Sequence, residues 1–141
     1  MNIDGARHCG RIRYEARIDP AKVILCHCTD CQTVSGAAYR ANVPALAANF
    51  TLHGAPKTYE KVAASGNRMV LAFCENCGTA LYSSRAENPI VYNLRLGAVA
   101  QRAQLTPKAQ YWCASAMSWA MDISRIPQSP DQIRHPRTAE S

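Results

Sequence analysis

The stretch KVILCHCTDC, residues 22–31, changes character halfway along. Lys22 to Cys26 is a short apolar run of the kind that forms a strand. It leads directly into three cysteines, Cys26, Cys28 and Cys31. Thiolates are good zinc ligands; structural zinc sites take four protein ligands, and catalytic ones keep three and an open position. This loop supplies three. The site is either closed by His27, His53 or another residue, or left open for a ligand from outside the chain. An iron–sulfur cluster is a third use of cysteines so spaced. Zinc on three thiolates carries a formal charge of about −1 and is a weak Lewis acid. It is suited to holding one more sulfur, because coordination deprotonates a thiol.

A second cluster follows downstream. RMVLAFC (68–74) alternates like a strand and ends at Cys74, and CENCG (74–78) has the form of a zinc knuckle, with Cys77 as its second thiol and Gly78 permitting the turn. Cys9, in RHCGRIRY, is distant in sequence but can meet Cys74 and Cys77 across paired strands. Cys113, alone in YWCAS, reads as a small core hydrophobe.

The rest of the chain reads as β structure. RIRYEAR (11–17) sets Ile12, Tyr14 and Ala16 on one face and charges on the other. AAYRANVP (37–44) reads as a strand ended by Pro44. LAANFTLHG and KTYEKVAASGN each hold a strand and a turn, and NPIVYNLRLG aligns Ile90, Tyr92, Leu94 and Leu96. AQYWCA and SWAMDI close the fold, and TDCQTVSG has room for one helical turn. Many short strands separated by Pro and Gly indicate a mainly β domain with little helix. One domain is expected over 1–130, followed by a loose tail over 131–141.

The 141 residues are 48% hydrophobic and 7% aromatic, with a net charge of +6. No run approaches the ~20 apolar residues of a membrane helix. MNIDGARHCG has no apolar run after a basic start, so no secretory signal is expected and the cytoplasm is the expected location. The chain has seven cysteines, and in that compartment the C-x-C-x-x-C and C-x-x-C spacings read as metal ligands rather than disulfides. The positive charge favours anionic partners. Its densest stretch, Arg7, Arg11, Arg13 and Arg17, reads as a solvated strand face; the scattered arginines argue against nucleic acid as a partner.

Taken in order, HCGRIRYE, CHCTDCQTVSGAAYRANVP, FCENCGTALY, IVYNLRLG and YWCASAMSWAMDISRIPQSP resemble the glutathione-dependent formaldehyde-activating enzyme family, which shares its domain with centromere protein V. The resemblance covers about residues 5–130. It implies a β-tent of two antiparallel sheets with zinc knuckles, and two zinc sites. A substrate-binding zinc falls on Cys26, Cys28 and Cys31, and a structural zinc on Cys9, Cys74 and Cys77. It also implies a carbon–sulfur lyase activity: the zinc holds the sulfur of glutathione, and formaldehyde adds to it to give S-hydroxymethylglutathione.

The chain departs from the family pattern twice. Arg7 stands where the first structural cysteine belongs, and a guanidinium has no lone pair for a metal. His8, water or Cys113 could then complete that site, the site could hold no metal, or Arg7 could offset thiolate charge. After Gly97, GAVAQR replaces the Leu-Asp pair frequent in the family, which puts family-like substrate contacts there in doubt. A small anionic thiol is the expected partner, with His27 and Asp30 the nearest proton carriers in sequence. His27 is expected to point to solvent, and Asp30 to accept loop N–H bonds. Two alternatives remain: a zinc-stabilised module that binds protein or nucleic acid, and a thiol-active enzyme with another substrate.

Overall fold

The computed structural model describes residues 1–10 and 12–132. Arg11, and residues 133–141 of the expected tail, lie outside the described residues. The chain is mainly β, in two sheets. The alternation of residues 12–16 builds the smaller one. Strand β2 (Arg13–Arg17) buries Tyr14 and Ala16 and turns Arg13, Glu15 and Arg17 outward. It lies antiparallel between β1 (Asn2–Ala6) and β5 (Phe50–His53).

The larger sheet has seven strands in the order β10-β3-β4-β9-β8-β7-β6. They are β3 (Ile24–Cys26), β4 (Arg40–Leu46), β6 (Lys57–Val62), β7 (Arg68–Phe73), β8 (Ala80–Arg85), β9 (Val91–Arg95) and β10 (Ala109–Tyr111). Neighbours are antiparallel except at one edge, where β10 runs parallel to β3. The sheets are therefore not wholly antiparallel, because β10 returns to β3 through a long connection rather than a hairpin.

The core lies between the sheets. Tyr14, Ile3 and Ala16 from the small sheet meet Val43, Ala45, Leu81 and Leu94 from the large one. Phe50 sits among aromatic rings, 4.7 Å from Tyr92 and 5.5 Å from Tyr14 between centroids. Since strand side chains alternate, burying Val43 and Leu94 on this face sends Arg40, Asn42, Asn93 and Arg95 to the other. That second face of the large sheet becomes the floor of a cleft.

Three local expectations change. Strand β4 runs through Pro44 to Leu46 instead of ending there. β3 pairs only with Arg40 to Asn42, so Pro44 lies where β4 has one edge free, and a proline is tolerated there. The turn after the first cysteines is a helix, α1 (Thr29–Ser35), closed by Gly36 at φ 64° with its N–H on the Gln32 carbonyl. Ser118–Met121 of SWAMDI is a 3-10 helix, not a strand. Among the described residues no helix is long and apolar enough to cross a membrane.

Gly5 faces Tyr14 across the β1–β2 pair, and a Cβ there would lie 2.1 Å from the buried ring. At Gly97 nothing lies within 4 Å of the same added atom. Urea unfolding of Gly5→Ala should show a loss of about 1–3 kcal/mol or more, against a near-neutral Gly97→Ala. Equal stability of the two variants would contradict this packing of Tyr14 on β1.

Candidate metal centres and the cleft beside the first

Cys26 ends β3, and the chain turns at once into α1. Cys28 caps that helix, its sulfur accepting the Cys31 N–H at 3.3 Å. Thiolates at helix N-termini are stabilised by just such donors. The loop is fixed from two sides. The His27 N–H bonds to the Tyr111 carbonyl, and the Gln32 amide donates to the carbonyls of His27 (2.8 Å) and Ser115 (3.0 Å). So held, the sulfurs of Cys26, Cys28 and Cys31 all lie within 4.8 Å of one another.

The three thiols divide the charge unevenly. Burial works to raise Cys28, but the Cys31 N–H, the neighbouring thiols and Lys61 bring it below its ordinary value. Cys31 is pushed up to about 12, first by burial and then by hydrogen bonds to Cys28 and Cys26. The triad shares protons among close sulfurs, the arrangement a metal ion resolves by displacing them.

The second knuckle joins two hairpin turns. The N–H groups of Asn76 and Cys77 donate to the Cys74 sulfur at 3.3 and 3.2 Å, and Gly78, at φ 76°, returns its N–H to the Cys74 carbonyl. Opposite, the β1–β2 turn closes with the Gly10 N–H on the Arg7 carbonyl, and His8 is tied through its N–H to the Thr79 hydroxyl. Cys9 is thereby brought 3.7 Å from Cys74, sulfur to sulfur. Ligands about 2.3 Å from a tetrahedral ion lie roughly 3.8 Å apart, so this spacing fits a shared metal. Cys77 completes a triad within 4.8 Å and is lowered to about 5, chiefly by its hydrogen bond with the Thr79 hydroxyl.

Arg7 does not join the solvated face with Arg13 and Arg17. Its Nη1 donates to the Cys74 sulfur at 2.8 Å. Burial opposes ionisation of Cys74, but the N–H groups of Cys77 and Asn76 and this guanidinium together lower its pKa. A divalent ion on three thiolates carries about −1, and Arg7 supplies the balancing charge. Neither His8 nor Cys113 joins the triad. Cys113 is exposed, following β10 at one edge of the large sheet, while Cys74 follows β7 near the other; it is not a core residue.

Beside the first triad the large sheet carries a cleft of about 430 Å³, and none of the second triad lines it. Cys26 and Cys31 open onto it, above a floor that includes Arg40, Asn42, Asn93 and Arg95. The β7 residues Met69 and Leu71 line it too. Tyr111 and Trp112 form one wall, and Trp112 holds φ 58°, uncommon for a bulky residue. Asp30 does not cap the loop; its carboxylate pairs with Lys61 at the cleft, which holds its pKa down. His27 is fully buried rather than solvated. Its Nε2 meets Gln110 Oε1 at 2.8 Å, its ring packs edge-on to Tyr39, and it does not line the cleft. His53 lies on β5, 3.7 Å from Glu15, and neither histidine joins the Cys26 triad. GAVAQR packs against the small sheet, where Gln101 exchanges hydrogen bonds with Asp4, and likewise stays out of the cleft.

The cleft-floor residues are what sequence reasoning missed. In YRANVP and VYNLRLG, the Arg and Asn positions look like an ordinary solvent face. The available signal was that both strands are apolar enough to be central, where a polar second face must be covered by something.

Arg7→Cys should give the second knuckle a fourth thiolate. In a zinc competition titration against a chromophoric chelator, the variant is expected to hold one zinc per chain at least about ten-fold more tightly than the wild type. Unchanged retention would show that Arg7 does not occupy the fourth corner.

Residues 2–115 match the family model described as glutathione-dependent formaldehyde-activating enzyme. No curated protein matches the chain. Among solved structures, the crystal structure of a Rhodobacter sphaeroides protein, a Northeast Structural Genomics target, is similar. It covers 76% of this chain and 98% of its own, at 19% identity and a TM-score of 0.58, a likeness of fold. With the family match spanning most of the sequence, the chain belongs to the glutathione-dependent formaldehyde-activating enzyme family.

Proposed function

We propose that this chain is a zinc-dependent carbon–sulfur lyase-type enzyme that binds a small thiol such as glutathione and its formaldehyde adduct. The observation that carries the reading is the position of the first triad. Cys26 and Cys31 open onto a cleft, and no fourth protein ligand lies with them among the described residues. Bound to Cys26, Cys28 and Cys31, zinc would lower the pKa of a substrate thiol and hold its sulfur as a thiolate. The second zinc, on Cys9, Cys74 and Cys77, serves folding by joining the two hairpin turns.

The chain's own residues do the rest. The cleft, at about 430 Å³, is of the size that encloses a small ligand. Its floor places Arg40 and Arg95 near the triad, where positive charge favours the thiolate form of a bound thiol. Tyr111 and Trp112 shield one side from water. In the forward direction the thiolate sulfur bonds to the formaldehyde carbon, the carbonyl electron pair moves to oxygen, and that oxygen takes a proton. The reverse direction breaks the same carbon–sulfur bond. Lys61 and Asp30, paired at the cleft, are cleft-lining groups able to carry that proton; His27, turned toward Gln110, instead braces the loop. An open triad facing a cleft favours the enzyme over a purely zinc-stabilised binding module, in which both sites would be closed.

Exchange NMR with ¹³C-formaldehyde and glutathione tests the reading. Zinc-loaded protein should speed exchange between hydrated formaldehyde and S-hydroxymethylglutathione above the uncatalysed rate, and Cys28→Ser should return it to background. A background rate with the zinc-loaded wild type would sink the proposal.

A further inference from the structure

Arg40 and Arg95 are 8% and 6% exposed. Burying a charge is costly unless it is paired, and here two like charges are buried on one face of two adjacent strands. Arg95 aligns with Asn42 across the β4–β9 pair, and Arg40 stands two residues along on the same face. Such diagonal neighbours on a sheet face lie within reach of long side chains. Each guanidinium has five N–H donors. Arg95 donates from Nη1 to Asn42 Oδ1 at 2.5 Å, whereas the Arg40 Nε is buried with no partner. Among the described residues neither arginine forms a salt bridge. Asp30, the carboxylate lining the cleft, is taken by Lys61. Burial, and then the facing charge of Arg40, lower Arg95 to about 9, the mark of a cation short of a counter-ion.

The metal centre offsets only part of this charge. Three thiolates and a divalent ion leave about −1 beside two guanidinium groups. The planar fork of arginine matches a carboxylate through two parallel hydrogen bonds, and paired arginines suit that group better than any neutral one. Cys26 and Arg40 are aligned across the β3–β4 pair, so a carboxylate on this floor sits close to a sulfur held at the triad.

We infer that Arg40 and Arg95 form a carboxylate-binding subsite on the cleft floor, so that a thiol carrying a free carboxylate is held in preference to a neutral one. This rests on the proposed thiol-binding function and narrows its substrate class. Among the described residues, the buried Arg40 Nε without a partner and the lack of a carboxylate against either arginine are what the ligand explains.

Calorimetric titration of the zinc-loaded full chain with 3-mercaptopropionate and with 3-mercaptopropionamide tests it. The two probes share the thiol and differ in charge. The wild type should bind the carboxylate at least about ten-fold more tightly. Arg40→Gln and Arg95→Gln should bring the two probes to within about two-fold of each other while leaving amide binding in place, which also shows that the variants fold. Arg40→Lys, which keeps the charge and loses the fork, should retain part of the preference. Equal binding of the two probes to the wild type overturns the subsite and leaves the thiol reading standing. If neither probe binds, subsite and thiol reading fall together.

Discussion

Sulfur atoms held this close must have their charge answered, and much of this structure can be understood from that constraint. At each of two sites three cysteines hold their sulfurs within 4.8 Å of one another. Close thiols repel one another's charge when they ionise, while N–H groups donating to them favour the ionised form. Cys28 is drawn down as Cys31 is driven up to about 12, and Cys77 falls to about 5 beside the Thr79 hydroxyl.

The two triads answer the constraint with arginine in different places. At the knuckle joining the β1–β2 turn to Cys74 and Cys77, Arg7 donates directly to the Cys74 sulfur. Positive charge stands there beside the thiols, which suits the structural role proposed for that site. At the Cys26 triad the arginines stand back on the sheet floor, across from the sulfurs and not on them. The space between is the cleft. The two sites differ in arginine placement, as the structural and substrate-binding roles proposed for them would require.

Much of the fold was legible because strand periodicity is a local signal. Tyr14 and Ala16 fall on the buried face that alternation assigns them, and the Cys26 triad assembles as its spacing suggests. Cys9 does meet Cys74 and Cys77, but between turns of two different sheets rather than across paired strands. What was not legible depends on which strands become neighbours. Pro44 sits within β4 because β3 stops pairing short of it. His27 is buried because β10 returns to cover the loop and offers it Gln110. The arginines of β4 and β9 become a cleft floor only because those strands are central to the larger sheet. The role of Arg7 was legible as an anomaly and became an interaction only when the two hairpin turns met.

A position open to a substrate sulfur at the Cys26, Cys28, Cys31 centre, with none at the other centre, has a direct spectroscopic signature. ¹¹³Cd NMR of the cadmium-loaded protein resolves the two centres separately. On adding glutathione, the resonance of the Cys26 centre should move downfield toward the four-thiolate range, with the resonance of the Cys9, Cys74, Cys77 centre unmoved. A Cys26-centre resonance that stays in place at saturating glutathione would contradict the account.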